Sequence, residues 1–156
     1  MESKILTLVK KWYGDPAKHT ELRHYSLFKE LSAYELNLVQ KHLHHREFKA
    51  GETIFEEGFP MEVIYFIASG EVQASGIHNS TDPTVLQKDQ YIGVVDLFDQ
   101  GMRLSTAKAL TDVKLLALSQ ADFWELVNKN RALGIKLLAA CCRFLGSYLL
   151  DIALKR

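Results

Sequence analysis

Between Arg46 and about Leu118, short runs rich in Val, Ile, Phe, Tyr and Thr alternate with Gly, Asp, Asn and Pro at intervals of about ten residues. No other feature constrains the fold as much. β-Branched and aromatic residues suit a pleated, half-buried surface, and the breakers supply the backbone angles that tight turns need. The rhythm predicts a sandwich or barrel-like sheet. Candidate strands are Glu47–Lys49, Thr53–Glu56, Val63–Ser69, Glu71–His78, Thr84–Gln87, Ser105–Ala109 and Lys114–Ser119. Turns are expected at Ala50-Gly51, Gly58-Phe59-Pro60, Ser69-Gly70, His78-Asn79-Ser80 and Lys88-Asp89.

Helical periodicity frames this segment on both sides. Ile5, Val9 and Trp12 recur at helical spacing until Gly14-Asp15-Pro16 stops the pattern. Ser32 with Glu35 three residues on reads as a capping box, opening a helix that carries Leu36, Val39 and Leu43 on one side and ends near His44. After the strands, Ser119 can cap a short helix holding Phe123, Trp124 and Val127, and Ala132–Leu154 forms a longer one. In that last helix Ile135, Leu138, Cys142, Leu145, Leu149 and Ile152 alternate three and four apart, the spacing of a coiled-coil seam. A second stripe, Leu137, Cys141, Phe144 and Tyr148, runs beside it. A helix with two apolar stripes has two surfaces to cover, so one is expected to pack inside the protein and the other against a second subunit or another protein.

The totals narrow the function classes. At 156 residues a chain of this kind fills one domain and buries roughly 70% of the surface its unfolded form exposes. Nineteen Lys and Arg balance nineteen Asp and Glu, so no one-sided field draws the chain to nucleic acid. The first ten residues have too short an apolar run for a signal peptide. In the tail, Lys136, Arg143 and Asp151 interrupt the apolar run before the ~20 residues a membrane span needs. Cys141 and Cys142 are neighbours on a helix, where adjacent side chains diverge by about 100°, and read as buried free thiols in a reducing compartment. The expectation is a cytoplasmic protein that touches neither membrane nor nucleic acid.

The segment Ala50-Gly51-Glu52-Thr53-Ile54-Phe55-Glu56-Glu57-Gly58, then Ile64-Tyr65-Phe66-Ile67-Ala68-Ser69-Gly70-Glu71-Val72, resembles the opening strands of the cyclic nucleotide-binding domain family. The resemblance continues through Leu86-Gln87-Lys88-Asp89-Gln90-Tyr91-Ile92-Gly93 and Arg103-Leu104-Ser105-Thr106-Ala107-Lys108-Ala109, covering about residues 25 to 150. Within the family it is to the sensor domain of catabolite activator protein-type regulators, the best-known bacterial members. The resemblance implies an α+β, mainly β fold: a double-stranded β-helix or jelly-roll β-roll with N-terminal helices and a long C-terminal helix. It divides the chain into a helical extension (1–24), a β-roll with flanking helices (25–130) and a C-terminal helix (131–156) that pairs into a homodimer. In those regulators a helix-turn-helix follows the long helix; this sequence stops at Arg156, which predicts a sensor without a DNA reader.

By the same resemblance, Gly93 to Ala109 corresponds to the phosphate-binding cassette. Its candidate ligand residues are Gly93, Val94, Val95, Arg103, Leu104, Ser105 and Thr106, with Arg103 at the family's spacing of ten from Gly93. Backbone amides and a guanidinium suit a cyclic phosphate. Two positions depart from the family pattern. Val94 stands where a glutamate normally accepts from the ribose hydroxyl, a loss worth about 1.5–3 kcal/mol. Asp96 stands where a small apolar residue is usual, and its carboxylate would repel an anion. A buried arginine needs a counter-ion, and Asp96 or Asp99 is expected to serve Arg103, leaving the pocket self-occupied.

Chemistry has little foothold elsewhere. His42, His44 and His45 invite a zinc reading, but no Cys or further His nearby completes a ligand set, and no metal is expected. No Gly-x-Ser-x-Gly elbow, phosphate loop or His-Glu-x-x-His is present. The sequence therefore predicts a regulatory module that is no enzyme and needs no cofactor, with a degenerate cassette and protein contacts through the last helix. The alternative is a working sensor of cyclic AMP, cyclic GMP or another small anion held by Arg103.

Overall fold

The computed structural model of the chain describes residues 16–76, 82–99 and 101–154. The expected helix around Ile5, Val9 and Trp12, the turn at residues 78–80 and the end of the strand drawn to His78 lie outside them. The described residues form two compact units, one within residues 43–123 and one of residues 16–42 with 124–154.

The first unit is the β-roll. One sheet joins β1 (Leu43–Phe48), β8 (Val113–Ser119), β3 (Val63–Ser69) and β6 (Tyr91–Ile92) in that order, and the other joins β2 (Thr53–Phe55), β7 (Thr106–Ala109), β4 (Val72–Ser75) and β5 (Thr84–Leu86). Every pairing is antiparallel. Two antiparallel sheets with a short helix between β6 and β7 are the jelly-roll arrangement expected. Period-two alternation explains what each strand buries: along β8 Val113, Leu115 and Ala117 are buried while Lys114 is exposed. Ile67, Val72, Ala107, Ala109, Val113 and Leu115 form one buried cluster, with Phe48, Ile54, Phe55, Tyr65, Leu86 and Ile92 packed around it.

Several boundaries differ from expectation. The helix opened by Ser32 is Ala33–Gln40 and stops short of His44. Leu43, expected on its apolar face, instead begins β1 opposite Leu118, because six residues from Leu43 to Phe48 find partners along β8 in unbroken register. His44 and His45 thus sit on consecutive strand positions, both exposed, and point to opposite faces. Among the described residues no three His, Cys, Asp or Glu gather as a metal would require. Pro16 opens a helix, α1 (Pro16–Leu22), since proline at a first helical position lacks an N–H that would be unpaired there anyway. Strand β6, with two residues, is too short to leave a periodic signal.

The second unit is helical. α1 lies alongside α2 (Ala33–Gln40). The capping box of α2 is complete: Ser32 Oγ accepts from the Glu35 N–H at 3.2 Å and a Glu35 carboxylate oxygen accepts from the Ser32 N–H at 2.7 Å. After the cassette helix α3 (Val94–Phe98) come α4 (Gln120–Lys129) and α5 (Arg131–Leu154). Ser119 caps α4, accepting from the Asp122 N–H at 3.0 Å, and Asn130 caps α5, accepting from Leu133 N–H at 3.1 Å.

The two stripes of α5 have different fates. Leu137 and Cys141 of the second stripe are buried, together with Leu133 and Ala140. On the seam, Ile135 and Leu149 are 63% and 65% exposed, Leu138, Leu145 and Ile152 are half-buried, and Cys142 is exposed, not buried with Cys141 as expected, because it falls on the helix face turned from the core. By length and composition alone, α5 is the one helix among the described residues able to cross a membrane, so its charges do not exclude a span by number as expected. Two of them have specific partners in the helical unit: Lys136 donates to buried Glu35 at 2.7 Å, and Arg143 pairs with Glu30 at 3.3 Å.

Candidate functional site

Arg103 is the buried cation of the β-roll, with 3% of its surface exposed. Its backbone is pinned to the loop after β2: its N–H donates to Phe59 O at 2.8 Å and its carbonyl accepts from the Gly58 N–H at 2.9 Å. Pro60 and Met102 form a bridge beside it. With the main chain so held, the side chain reaches inward. Nη1 donates to Asp96 at 3.2 Å and Nη2 donates to the carbonyl of Val63 at 2.5 Å. The guanidinium lies 3.8 Å above the centre of the Phe55 ring and 5.9 Å from that of Tyr65, and those two rings are stacked at 6.2 Å. Burial lowers the arginine's pKa, opposed by the hydrogen bond and charge of Asp96; arginine stays protonated through such shifts.

Asp96 is itself buried, at 4% exposure, on α3. Its second oxygen accepts from the Leu104 N–H at 3.3 Å. Asp99, the other candidate counter-ion, lies exposed at the end of α3. Gly93 makes the close approach possible. It has φ of +114°, and a Cβ there would lie 3.0 Å from Nη1 of Arg103 and 3.2 Å from the Val63 carbonyl. A side chain would therefore be strained and would displace the guanidinium.

A concavity of about 330 Å³ opens beside this pair, walled by Phe55, Phe59, Glu56, Glu62, Tyr65 and Arg103 among others. Of the residues singled out from sequence, Arg103 alone lines it. Val94 is buried at 1% and Ser105 at 4%, Val95 and Leu104 are half-buried, and the Thr106 hydroxyl accepts from the Glu57 N–H at 3.0 Å. Phe55, Tyr65, Glu56 and Glu62 are site residues the sequence does not single out; the first three read only as strand residues there. The charge balance of the wall is acidic, because Asp96 offsets Arg103 while Glu56 and Glu62 remain. An incoming anion would meet two wall carboxylates, Glu56 and Glu62, and one guanidinium already paired with Asp96 behind the wall.

Residues 45–130, more than half of the chain, match the family model of the cyclic nucleotide-binding domain. The chain is 28% identical over 131 residues to the cyclic AMP receptor protein of Thermus thermophilus, spanning 82% of this chain but 61% of that one. It is 28% identical over 106 residues to a cAMP-dependent protein kinase regulatory subunit of Colletotrichum orbiculare, 68% of this chain and 27% of the relative. Among solved structures it is similar to the N-terminal domain of a transcriptional regulator from Streptomyces coelicolor, with a TM-score of 0.71, 29% identity, and coverage of 85% of this chain and 94% of that one.

Proposed function

The chain belongs to the cyclic nucleotide-binding domain family, and from that membership we propose that it is a non-catalytic regulatory module whose cassette is degenerate and which acts through protein contacts. The observation that carries this reading is the buried pair of Arg103 with Asp96 at 3.2 Å. The charge that would attract a cyclic phosphate is balanced inside the fold, and Val94 offers no acceptor to a ribose hydroxyl. Residues 25–130 form the sensor-like part, and residues 131–156 pair with those of a second copy through Ile135, Leu138, Cys142, Leu145, Leu149 and Ile152. The heptad spacing of these residues supports a second copy as the occupant, since knobs-into-holes packing is self-complementary. A cytoplasmic site, with no membrane span and no direct nucleic-acid contact, belongs to the same proposal.

Calorimetry with cyclic AMP and cyclic GMP tests the closed cassette. No heat of binding is expected at micromolar protein. Micromolar binding that vanishes in Arg103→Ala would establish a working sensor instead. Light scattering tests the second half of the reading, with a dimer expected and a monomer at high concentration counting against it.

A further inference from the structure

The carboxylate of Asp96 makes two contacts at once, and together they describe how an anion would be held. One oxygen faces Nη1 of Arg103 at 3.2 Å and the other accepts from the main-chain N–H of Leu104 at 3.3 Å. A guanidinium N–H beside a backbone N–H suits a tetrahedral oxyanion as well as a planar carboxylate. Two carboxylate oxygens thus satisfy two donors, the Nη1 of Arg103 and the Leu104 N–H.

We infer that Asp96 is a built-in occupant of an otherwise intact anion slot, and that its side chain excludes a compact phosphate-class ligand from this chain. This rests on the closed-cassette reading above and adds that one carboxylate does the closing. Tethering gives Asp96 its advantage. It lies seven residues from Arg103 along the chain, so it competes as an intramolecular group against a ligand that must give up translational freedom to bind. Removing the carboxylate frees two donors and leaves a buried guanidinium without a counter-ion, which is the condition that favours an external anion most strongly.

The test follows thermal denaturation of wild type, Asp96→Ala and Asp96→Ala/Arg103→Ala in rising inorganic phosphate and, separately, cyclic AMP, at matched ionic strength. The melting temperature of Asp96→Ala is expected to climb with the logarithm of anion concentration. Its midpoint concentration should be at least tenfold below that of any wild-type response, and the double variant should stay flat. A response to phosphate alone assigns the slot to a free oxyanion, and a stronger response to cyclic AMP assigns it to the nucleotide. A folded Asp96→Ala that ignores both anions, or that responds no more than wild type, overturns the inference. Should Asp96→Ala fail to fold, Asp96→Ser removes the carboxylate and shortens the side chain while keeping a polar group, and its silence is equally decisive. Wild type binding cyclic AMP through Arg103 would sink the closed-cassette reading, whereas silent Asp96 variants remove only the built-in occupant.

Discussion

A Cβ on Gly134 would lie 2.3 Å from the carbonyl oxygen of Val127, so the start of α5 rests on the last turn of α4 with no space for a side chain. The obstacle is backbone, which cannot swing aside as a flexible side chain would. Gly134→Ala is therefore expected to destabilise the protein by about 1–3 kcal/mol, the usual cost of overpacking. Urea denaturation reads this directly, and an unchanged midpoint would mean that the two helices separate at no cost.

The Arg103 and Asp96 pair sets a larger effect. Breaking a buried ion pair from one side leaves the other charge uncompensated, typically at a cost of about 3–5 kcal/mol. Arg103→Ala should lose stability on that scale, since Asp96 would keep only the Leu104 N–H. In Asp96→Ala/Arg103→Ala the orphaned charge is gone, so part of the loss should return. A double-mutant cycle measures the coupling, and strictly additive losses would show that the pair contributes nothing as a pair.

Glu35 links the fold to pH. Burial acts to raise its carboxyl, but the Lys136 hydrogen bond and charge, with the Ser32 bonds, outweigh burial and hold it below its ordinary value of 4.5. A carboxyl whose folded value is depressed stabilises the fold fully above the unfolded value and loses that contribution as pH falls through the folded one. Wild-type stability should therefore drop more steeply than that of Glu35→Gln as pH falls below about 4.5. Denaturation curves across that window, taken as a difference between the two proteins, show the effect; parallel curves would contradict it.

On α5, Leu149→Asp changes a residue that is 65% exposed and should leave folding intact while converting a dimer to a monomer. The two cysteines give an independent readout. Burial, and then the neighbouring Cys142, push the Cys141 thiol up to about 12, so it should resist alkylation near neutral pH while exposed Cys142 reacts. In a parallel two-stranded seam equivalent positions face each other. Mild oxidation should therefore cross-link the dimer through Cys142, and Cys142→Ser should abolish the band. Cross-linking that persists in that variant would place the contact elsewhere.

What the sequence disclosed depended on how local each signal is. The capping box at Ser32 and Glu35 and the bounds of β3 at Val63 and Ser69 were readable, because each is written in a few consecutive residues. The end of α2 was not, since Leu43 fits a helical face equally well and only its partner Leu118, far along the chain, decides for a strand. The same limit applies at the site. Gly93, Asp96 and Arg103 came together through the resemblance of one short stretch to the family's cassette, whereas Phe55, Tyr65 and Glu62 reach the cavity beside Arg103 from another part of the roll. No spacing rule could have joined them to the arginine.

The backbone clamp on Arg103 carries a last consequence. With its N–H and carbonyl both engaged by the Phe59 and Gly58 main chain, and Met61 N–H bonded to Gly101 O at 2.6 Å, the guanidinium can leave Asp96 only by rotating about its own side-chain torsions. Such reorientation needs no segment of chain to detach, so deuterium should enter the Arg103 amide far more slowly than the tip of the same residue changes rotamer.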